Sequence, residues 1–175
     1  AAMRALLKVQ RPDDSVIGEE AQNTVGTSGL SWVLDPIDGT RGYVSGTPTW
    51  GTLIALNDGQ QPIFGVIDQP YTAERFVGGL GMAFLERHGV KTPLATRRKR
   101  HLSEATIFTT FPEVGSPLEA EAFHTVAGQC QLTRYGMDCY AYALLAAGQI
   151  DLVIEAGLQP YDIQAPIALV KAAGG

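Results

Sequence analysis

The chain has 175 residues and a net charge of −5, and its composition is 45% hydrophobic and 18% charged. This length fits one domain with a substantial core, and the acidic balance argues against a general nucleic-acid-binding protein. The sequence has neither an apolar run long enough to span a bilayer nor a secretory signal pattern, so we expect no membrane partner and a cytoplasmic location. Cys130 and Cys139 lack the spacing of a zinc site and fit reduced thiols in that compartment.

The first elements lead to an acidic pair. Residues 1–7 have the pattern of a helix that is already under way, with no capping residue before it. Residues 15–18 predict a short strand that delivers Glu19 and Glu20, and the polar segment 21–31 predicts a loop. A solvated turn would account for the two glutamates, but a strand end can also direct one of them inward.

An apolar strand is predicted to end within the segment Trp-Val-Leu-Asp-Pro-Ile-Asp-Gly-Thr, residues 32–40. Pro36 cannot donate to a sheet ladder, so we expect the strand to stop after Asp35. Asp38 and the glycine after it should form a tight turn, and Thr40 is suited to cap a helix. A β-hairpin turn is the alternative, because Asp-Gly between apolar runs is a common hairpin signal.

The same segment is suited to bind a metal ion and a phosphate. Asp35 and Asp38 would lie at the end of a strand, and Mg²⁺ favours carboxylate oxygens together with backbone carbonyls such as that of Ile37. The N–H groups of Gly39 and Thr40, at the start of a helix, suit a phosphate. On this motif alone, metal–phosphate chemistry and the hairpin turn stay equally open.

The remaining chain divides into two halves of different class. Residues 50–67 predict two strands and 75–77 a third, so the half 1–96 should contain an antiparallel sheet. In the half 97–175 strands and helices alternate, which predicts a mostly parallel sheet with helices packed on it. The basic run that opens this half, at 97–100, is predicted to be a solvated connector rather than a nucleic-acid contact.

Three further carboxylates lie at predicted element ends in the second half. Glu155 ends an apolar strand at the carboxyl edge of the predicted parallel sheet, where ligands bind in open α/β folds. Asp162 precedes the last predicted helix and Asp138 precedes the helix 139–147, so either could be only an N-cap. Residue type and position alone do not distinguish a carboxylate that only caps a helix from one that also binds a ligand.

Three motifs, in this order, resemble the inositol-monophosphatase family of Mg²⁺-dependent, lithium-sensitive phosphomonoesterases. They are Gly-Glu-Glu at 18–20, Asp-Pro-Ile-Asp-Gly-Thr at 35–40, and Tyr-Asp at 161–162 followed by Ala-Ala-Gly-Gly at 172–175. The resemblance covers almost the whole chain and implies a layered αβαβα sandwich, with this sequence truncated at both ends of the family's domain. It also implies a homodimer.

Matched residue by residue, the resemblance implies a site that holds two or three Mg²⁺ ions. The implied metal ligands are Glu19, Asp35, the carbonyl of Ile37, Asp38 and Asp162. Thr40 falls on the threonine that orients and helps to deprotonate the attacking water, so the predicted catalytic residues are Thr40, Asp35 and Glu19. Gly39 and Thr40 would hold the phosphate, and the acidic partner of the Thr40 hydroxyl falls upstream of residue 1.

Departures from the inositol-phosphatase pattern resemble the histidinol-phosphate phosphatase branch. Gly-Met-Asp-Cys stands at 136–139 in place of Gly-Ser-Ala-Ala or Gly-Thr-Ala-Ala, and the segments 134–142 and 157–162 together resemble that branch. Glu155 falls on the acidic residue that contacts the substrate's hydroxyls in inositol phosphatases. Asp138 together with Glu155 could pair with the ammonium group of histidinol phosphate, a small phosphate ester of histidine biosynthesis. The predicted reaction is direct attack by a metal-activated water. Two alternatives stay open: a phosphatase of inositol-1-phosphate or a 3′-phosphonucleotide, and a non-catalytic metal-binding relative.

Overall fold

A computed structural model describes residues 2–98 and 101–175 of the chain. The described helices are α1 Ala2–Gln10, α2 Thr40–Ser45, α3 Pro117–Ala127, α4 Asp138–Ala146 and α5 Pro160–Ala172, with a 3₁₀ turn at Leu102–Glu104. The described strands are β1 Ser15–Gly18, β2 Ser31–Asp38, β3 Gly51–Asn57, β4 Pro62–Gln69, β5 Glu74–Gly79, β6 Met82–Arg87, β7 Val90–Pro93, β8 Thr106–Thr109, β9 Leu132–Tyr135 and β10 Leu152–Val153. In these two ranges no helix combines the length and the apolar character needed to cross a bilayer.

Strands β1 to β7 form one sheet in chain order. The predicted meander is present from β2 onward, and β6 and β7 extend it beyond the predicted strands. The prediction of an antiparallel sheet is wrong at one edge, because β1 pairs with β2 in parallel. The long loop between these two strands lets the chain return in the same direction, which a tight turn could not do.

Strand β2 does not stop at Asp35 as predicted. It runs through Pro36 to Asp38, and its register against β3 shifts between the two aspartates. This irregularity accommodates a proline without a ladder N–H, and the Pro36 carbonyl accepts a hydrogen bond from the Thr52 hydroxyl at 2.8 Å. Strands β2 and β3 are antiparallel neighbours, but the helix α2 joins them, so the Asp-Gly pair does not form a two-residue hairpin.

The second half of the chain forms the predicted parallel sheet, in the order β10–β8–β9. Neighbouring residues of β8 face opposite sides: Ile107 packs in a cluster with Phe123 of α3, and Phe108 in a cluster with Ala141 of α4. Two boundaries differ from the prediction. Strand β10 ends at Val153 rather than at Glu155, and α5 begins at Pro160, so Asp162 lies within the helix rather than before it.

The two sheets share the helical layer of α4 and α5. The largest hydrophobic cluster joins Leu53 and Phe76 of the first sheet to Ala143 of α4 and Leu169 of α5. Each of these side chains is at most 2% exposed. The resulting order of sheet, helices, sheet and α3 confirms the predicted layered α/β sandwich and corresponds to four consecutive layers of the αβαβα order.

The basic run between the two halves is anchored where it is described. Arg97 donates to the carbonyl of Gly148 at 2.6 Å and forms an ion pair with Asp151 at 3.0 Å. The prediction of a solvated connector is therefore wrong for Arg97. Lys99 and Arg100 of the same run lie outside the described residues.

Candidate active site

One cleft of about 260 Å³ contains every residue that the sequence predicted for the site. It lies where the end of β2 meets the starts of α2, α4 and α5. The predicted residues that line it are Glu19, Asp35, Ile37, Asp38, Gly39, Thr40, Asp138, Glu155 and Asp162. The residues that sequence reasoning missed are Thr110, Phe111, Cys139, Tyr142, Ala156 and Leu158. None of these six residues has a charged side chain, so no charge pattern identified them.

Three carboxylates meet at the base of the cleft. Asp35 and Asp38 come from β2 and Asp162 from α5, and one oxygen of each lies within 4.8 Å of the others. Asp35 is only 2% exposed. Glu19 lines the same cleft but lies outside this group of three, in the loop that follows β1.

Burial and crowding make these carboxylates hard to ionise. Burial, followed by the negative charges of Asp38 and Glu19, raises the pKa of Asp35 to about 7. Burial also raises the pKa of Asp38 to about 6, although a hydrogen bond from Cys139 opposes the change. The pKa of Asp162 is raised as well, mainly by burial. A cation among these oxygens would offset both the burial and the neighbouring negative charges, and so favour the ionised carboxylates.

Backbone N–H groups fix one oxygen of each carboxylate. Asp35 accepts from the N–H of Ile37 at 3.0 Å, and Asp38 accepts from the N–H of Cys139 at 2.8 Å. Asp162 accepts from the N–H of Gln159 at 2.7 Å as part of a reciprocal capping box. The N-cap of α5 is therefore Gln159, and the interpretation of Asp162 as an N-cap is wrong.

Thr40 does not cap α2 as predicted. Gly39 occupies the N-cap position with φ 76°, and Thr40 is the first residue of the helix. The Thr40 hydroxyl donates to the carbonyl of Ile37 at 3.1 Å. The hydroxyl predicted to orient water and the carbonyl predicted to bind metal are therefore direct neighbours.

Asp138 and Glu155 line the other part of the cleft, and hydroxyl groups hold both of them. Asp138 begins α4 in the left-handed region, with φ 46°, and accepts from the Thr49 hydroxyl at 3.0 Å. The N-cap of α4 is Met137, so the simple capping role considered for Asp138 is wrong. Glu155 accepts from the N–H of Thr110 at 2.8 Å and from its hydroxyl at 2.7 Å. Burial raises the pKa of both carboxyls.

The layered fold and the acidic cleft define a class of protein. The chain belongs to the inositol monophosphatase family, whose sequence profile matches residues 1–175. It is 40% identical over 181 residues to the chloroplastic bifunctional phosphatase IMPL2 of Arabidopsis thaliana, and the match covers 99% of this chain and 50% of that protein.

A bacterial enzyme and a solved structure give similar matches. The histidinol-phosphatase of Streptomyces coelicolor is 35% identical, with 99% of this chain and 67% of that protein covered. An inositol monophosphatase from Zymomonas mobilis superimposes with a TM-score of 0.88 at 39% identity, covering 99% of this chain and 66% of that one. The chain thus spans half the length of the Arabidopsis protein and about two thirds of the other two.

Proposed function

We propose that the protein is a Mg²⁺-dependent phosphomonoesterase whose substrate is histidinol phosphate. The observation that carries the first part is the group Asp35, Asp38 and Asp162, whose oxygens converge and whose charges repel one another. Carboxylate oxygens with a nearby backbone carbonyl are the donors that Mg²⁺ favours, so these residues fit that ion. Glu19 and the Ile37 carbonyl would complete the ligand set.

Bound Mg²⁺ would supply positive charge to the phosphate oxygens and lower the pKa of a coordinated water. The chain's own groups have separate tasks in this proposal. The Thr40 hydroxyl, beside the Ile37 carbonyl, orients the attacking water. The N–H groups of Gly39 and Thr40 hold the phosphate at the start of α2. Hydrolysis is direct, without a covalent intermediate.

The proposed substrate depends on the second acidic pair. Asp138 and Glu155 are held by hydroxyls and a backbone N–H and line the cleft with the metal-binding group. Histidinol carries an ammonium group that these two charges would attract, whereas an inositol ring carries none. The similarity to the histidinol-phosphatase of Streptomyces coelicolor supports this proposal. The similarity to the Zymomonas mobilis inositol monophosphatase favours an inositol phosphate as the second candidate.

A substrate panel with one variant tests this proposal. We expect the full-length protein with Mg²⁺ to hydrolyse histidinol phosphate at a higher kcat/KM than inositol-1-phosphate, a 3′-phosphonucleotide or p-nitrophenyl phosphate. Asp138→Asn should lower kcat/KM on histidinol phosphate by roughly 10- to 150-fold, since a charge-assisted hydrogen bond contributes about 1.5–3 kcal/mol. The same variant should leave p-nitrophenyl phosphate hydrolysis nearly unchanged, because that ester carries no ammonium group.

Three outcomes would contradict parts of the proposal. A parallel loss on both substrates would make Asp138 a structural residue of the cleft. Preference of the wild type for inositol-1-phosphate would select the second candidate. Failure to release phosphate from any ester in the presence of Mg²⁺ would leave the non-catalytic metal-binding alternative.

A further inference from the structure

The loop that carries Glu19 is closed at both ends by backbone hydrogen bonds. The N–H and C=O groups of Val16 and Thr24 exchange two bonds, each 2.9 Å long. Inside that closure the N–H of Gly18 donates to the side-chain oxygen of Asn23 at 3.3 Å. In residues 2–98 and 101–175, no hydrogen bond or ion pair holds the Glu19 carboxylate itself. Its position therefore depends on the backbone of this loop.

Arg4, which belongs to another element, contacts the middle of the loop. Arg4 of α1 donates through one guanidinium nitrogen to the carbonyl of Gln22 at 3.0 Å and through the other to the carbonyl of Ala21 at 3.3 Å. A side chain on Gly18 would place its Cβ 3.1 Å from that second nitrogen and 2.8 Å from the Leu34 carbonyl. The absence of a side chain there leaves room for the guanidinium.

We propose that Arg4 is a positioning residue, which holds the loop so that the Glu19 carboxylate faces the group formed by Asp35, Asp38 and Asp162. The inference rests on the metal site of the proposed function. Arg4 acts through the carbonyls of Ala21 and Gln22, and its planar fork of donors suits two neighbouring acceptors. Groups that orient metal ligands in this way typically contribute 10- to 100-fold to metal affinity.

The direction in which Mg²⁺ affinity changes when Arg4 is removed distinguishes positioning of the loop from a long-range electrostatic effect. Arg4 is a cation, so its long-range field opposes the binding of Mg²⁺. If that field were its whole influence, its removal would tighten Mg²⁺ binding. If Arg4 positions Glu19, its removal weakens binding.

The test is a calorimetric titration of Mg²⁺ alone into the full-length protein. We expect Arg4→Met to weaken Mg²⁺ binding roughly tenfold. Lys8→Met is the matched control, because Lys8 lies one turn further along α1, borders the same surface cavity and carries the same charge. We expect Lys8→Met to leave the affinity unchanged or slightly tighter. Unchanged or tighter binding by Arg4→Met, or an equal loss in the control, would overturn the inference.

A double variant tests whether Arg4 acts through Glu19. In a Glu19→Ala background, Arg4→Met should weaken Mg²⁺ binding by less than about twofold, since the ligand that it positions is already removed. A full tenfold further loss would mean a general effect on the fold. Arg4→Lys keeps the charge but has one donor nitrogen in place of the two that bind the loop, so it should give an intermediate affinity and carries the test if Arg4→Met does not fold.

The titration also separates this inference from the proposed substrate. Arg4→Met could weaken Mg²⁺ binding in a protein that does not hydrolyse histidinol phosphate. That result would contradict the proposed substrate and support the role of Arg4. If the wild-type protein does not bind Mg²⁺ at all, both are wrong.

Discussion

Asp35 shows how folding prepares a single residue for a cation. Its carboxylate is buried at the base of the cleft, one oxygen accepts from the N–H of Ile37, and Asp38 and Glu19 add negative charge around it. An ionised carboxylate in such surroundings is unfavourable unless a positive charge compensates it. An ion bound at this position would compensate the unfavourable charge of Asp35, and this gain contributes to the affinity of the proposed metal site.

We expect Asp35→Asn to abolish phosphatase activity without unfolding the protein. The amide oxygen can still accept from the N–H of Ile37, so the geometry is retained while the charge is lost. The value of kcat/KM should fall at least about 10²-fold, because metal stabilisation of the transition state amounts to several kcal/mol. Enzyme kinetics with Mg²⁺ and thermal unfolding in EDTA measure the two effects.

Glu121→Gln is the control for this variant, because Glu121 is exposed on α3 and the change removes the same charge. It should leave both measurements unchanged. In EDTA at pH 8 the Asp35→Asn protein should have a Tm equal to or above that of the wild type, since it has no buried charge to accommodate. An active Asp35→Asn enzyme would contradict the assignment of Asp35 to the metal.

At the scale of one element, the short helix α2 depends on the glycines at its two ends. Gly39 and Gly46 both have a left-handed backbone, with φ 76° and 79°. Their surroundings differ. A Cβ on Gly39 would lie 2.9 Å from the Cβ and Cγ of Asp138, whereas a Cβ on Gly46 would meet nothing within 4 Å. One end of the helix is thus packed against the proposed substrate-binding carboxylate, and the other end is open.

Because only Gly39 packs against Asp138, we expect a glycine-to-alanine substitution to have different effects at the two ends of α2. Gly39→Ala and Gly46→Ala should each lower the free energy of unfolding by roughly 1–2 kcal/mol, because alanine is strained in the left-handed region. Only Gly39→Ala should also displace Asp138, and we expect it to lower kcat/KM on histidinol phosphate at least about tenfold. Denaturant unfolding and kinetics on both variants check this. Equal kcat/KM values in the two variants would show that the contact with Asp138 has no influence on the site.

At the scale of the whole molecule, the cleft lies at the junction of the two halves. Asp35 and Asp38 come from the seven-stranded sheet, Asp162 comes from α5, and Glu155 follows the last strand of the parallel sheet. The proposed Mg²⁺ ligands join the seven-stranded sheet to α5, so they come together only when that sheet is packed on the shared helical layer. Binding of Mg²⁺ is therefore expected to stabilise the packing of this sheet on α5 rather than one loop.

The raised pKa values of two aspartates determine how the stability of the metal-free protein changes with pH. The folded pKa values of Asp35 and Asp38 are about 7 and about 6, above the usual value near 3.9 in an unfolded chain. Between pH 4 and 7 the folded state thus binds more protons at these groups. Their contribution to the stability of the metal-free protein falls as pH rises through that window.

Mg²⁺ binding should show the opposite trend. The ion requires the deprotonated carboxylates, so its affinity should rise between about pH 5 and 7, by up to tenfold per pH unit for each proton displaced, and level off above pH 8. No histidine lines the cleft in the described part of the chain, so the titration is expected from the aspartates. Calorimetric titrations of Mg²⁺ between pH 5.5 and 8.5 measure the trend. A constant affinity across this range would contradict it.

The sequence by itself determined the features that depend on neighbouring residues. Three apolar residues followed by Asp-Pro-Ile-Asp-Gly-Thr indicated a strand end with two carboxylates, and the strand–helix alternation of the second half indicated a parallel sheet. The short motifs at 18–20 and 161–162 then allowed the family and its layered fold to be predicted. Such features are local because strand, turn and helix preferences act over a few residues.

The contacts that hold the side chains of the cleft follow from the folded arrangement and not from local sequence. The Thr49 hydroxyl that holds Asp138 is 89 positions away, and Cys139, whose N–H holds Asp38, is 101 positions away. Threonine, cysteine and a backbone N–H carry no charge pattern that marks such pairings. The raised pKa values of Asp35 and Asp38 likewise follow from burial and from charges brought together by folding. These properties depend on distances in space, which short-range sequence patterns do not encode.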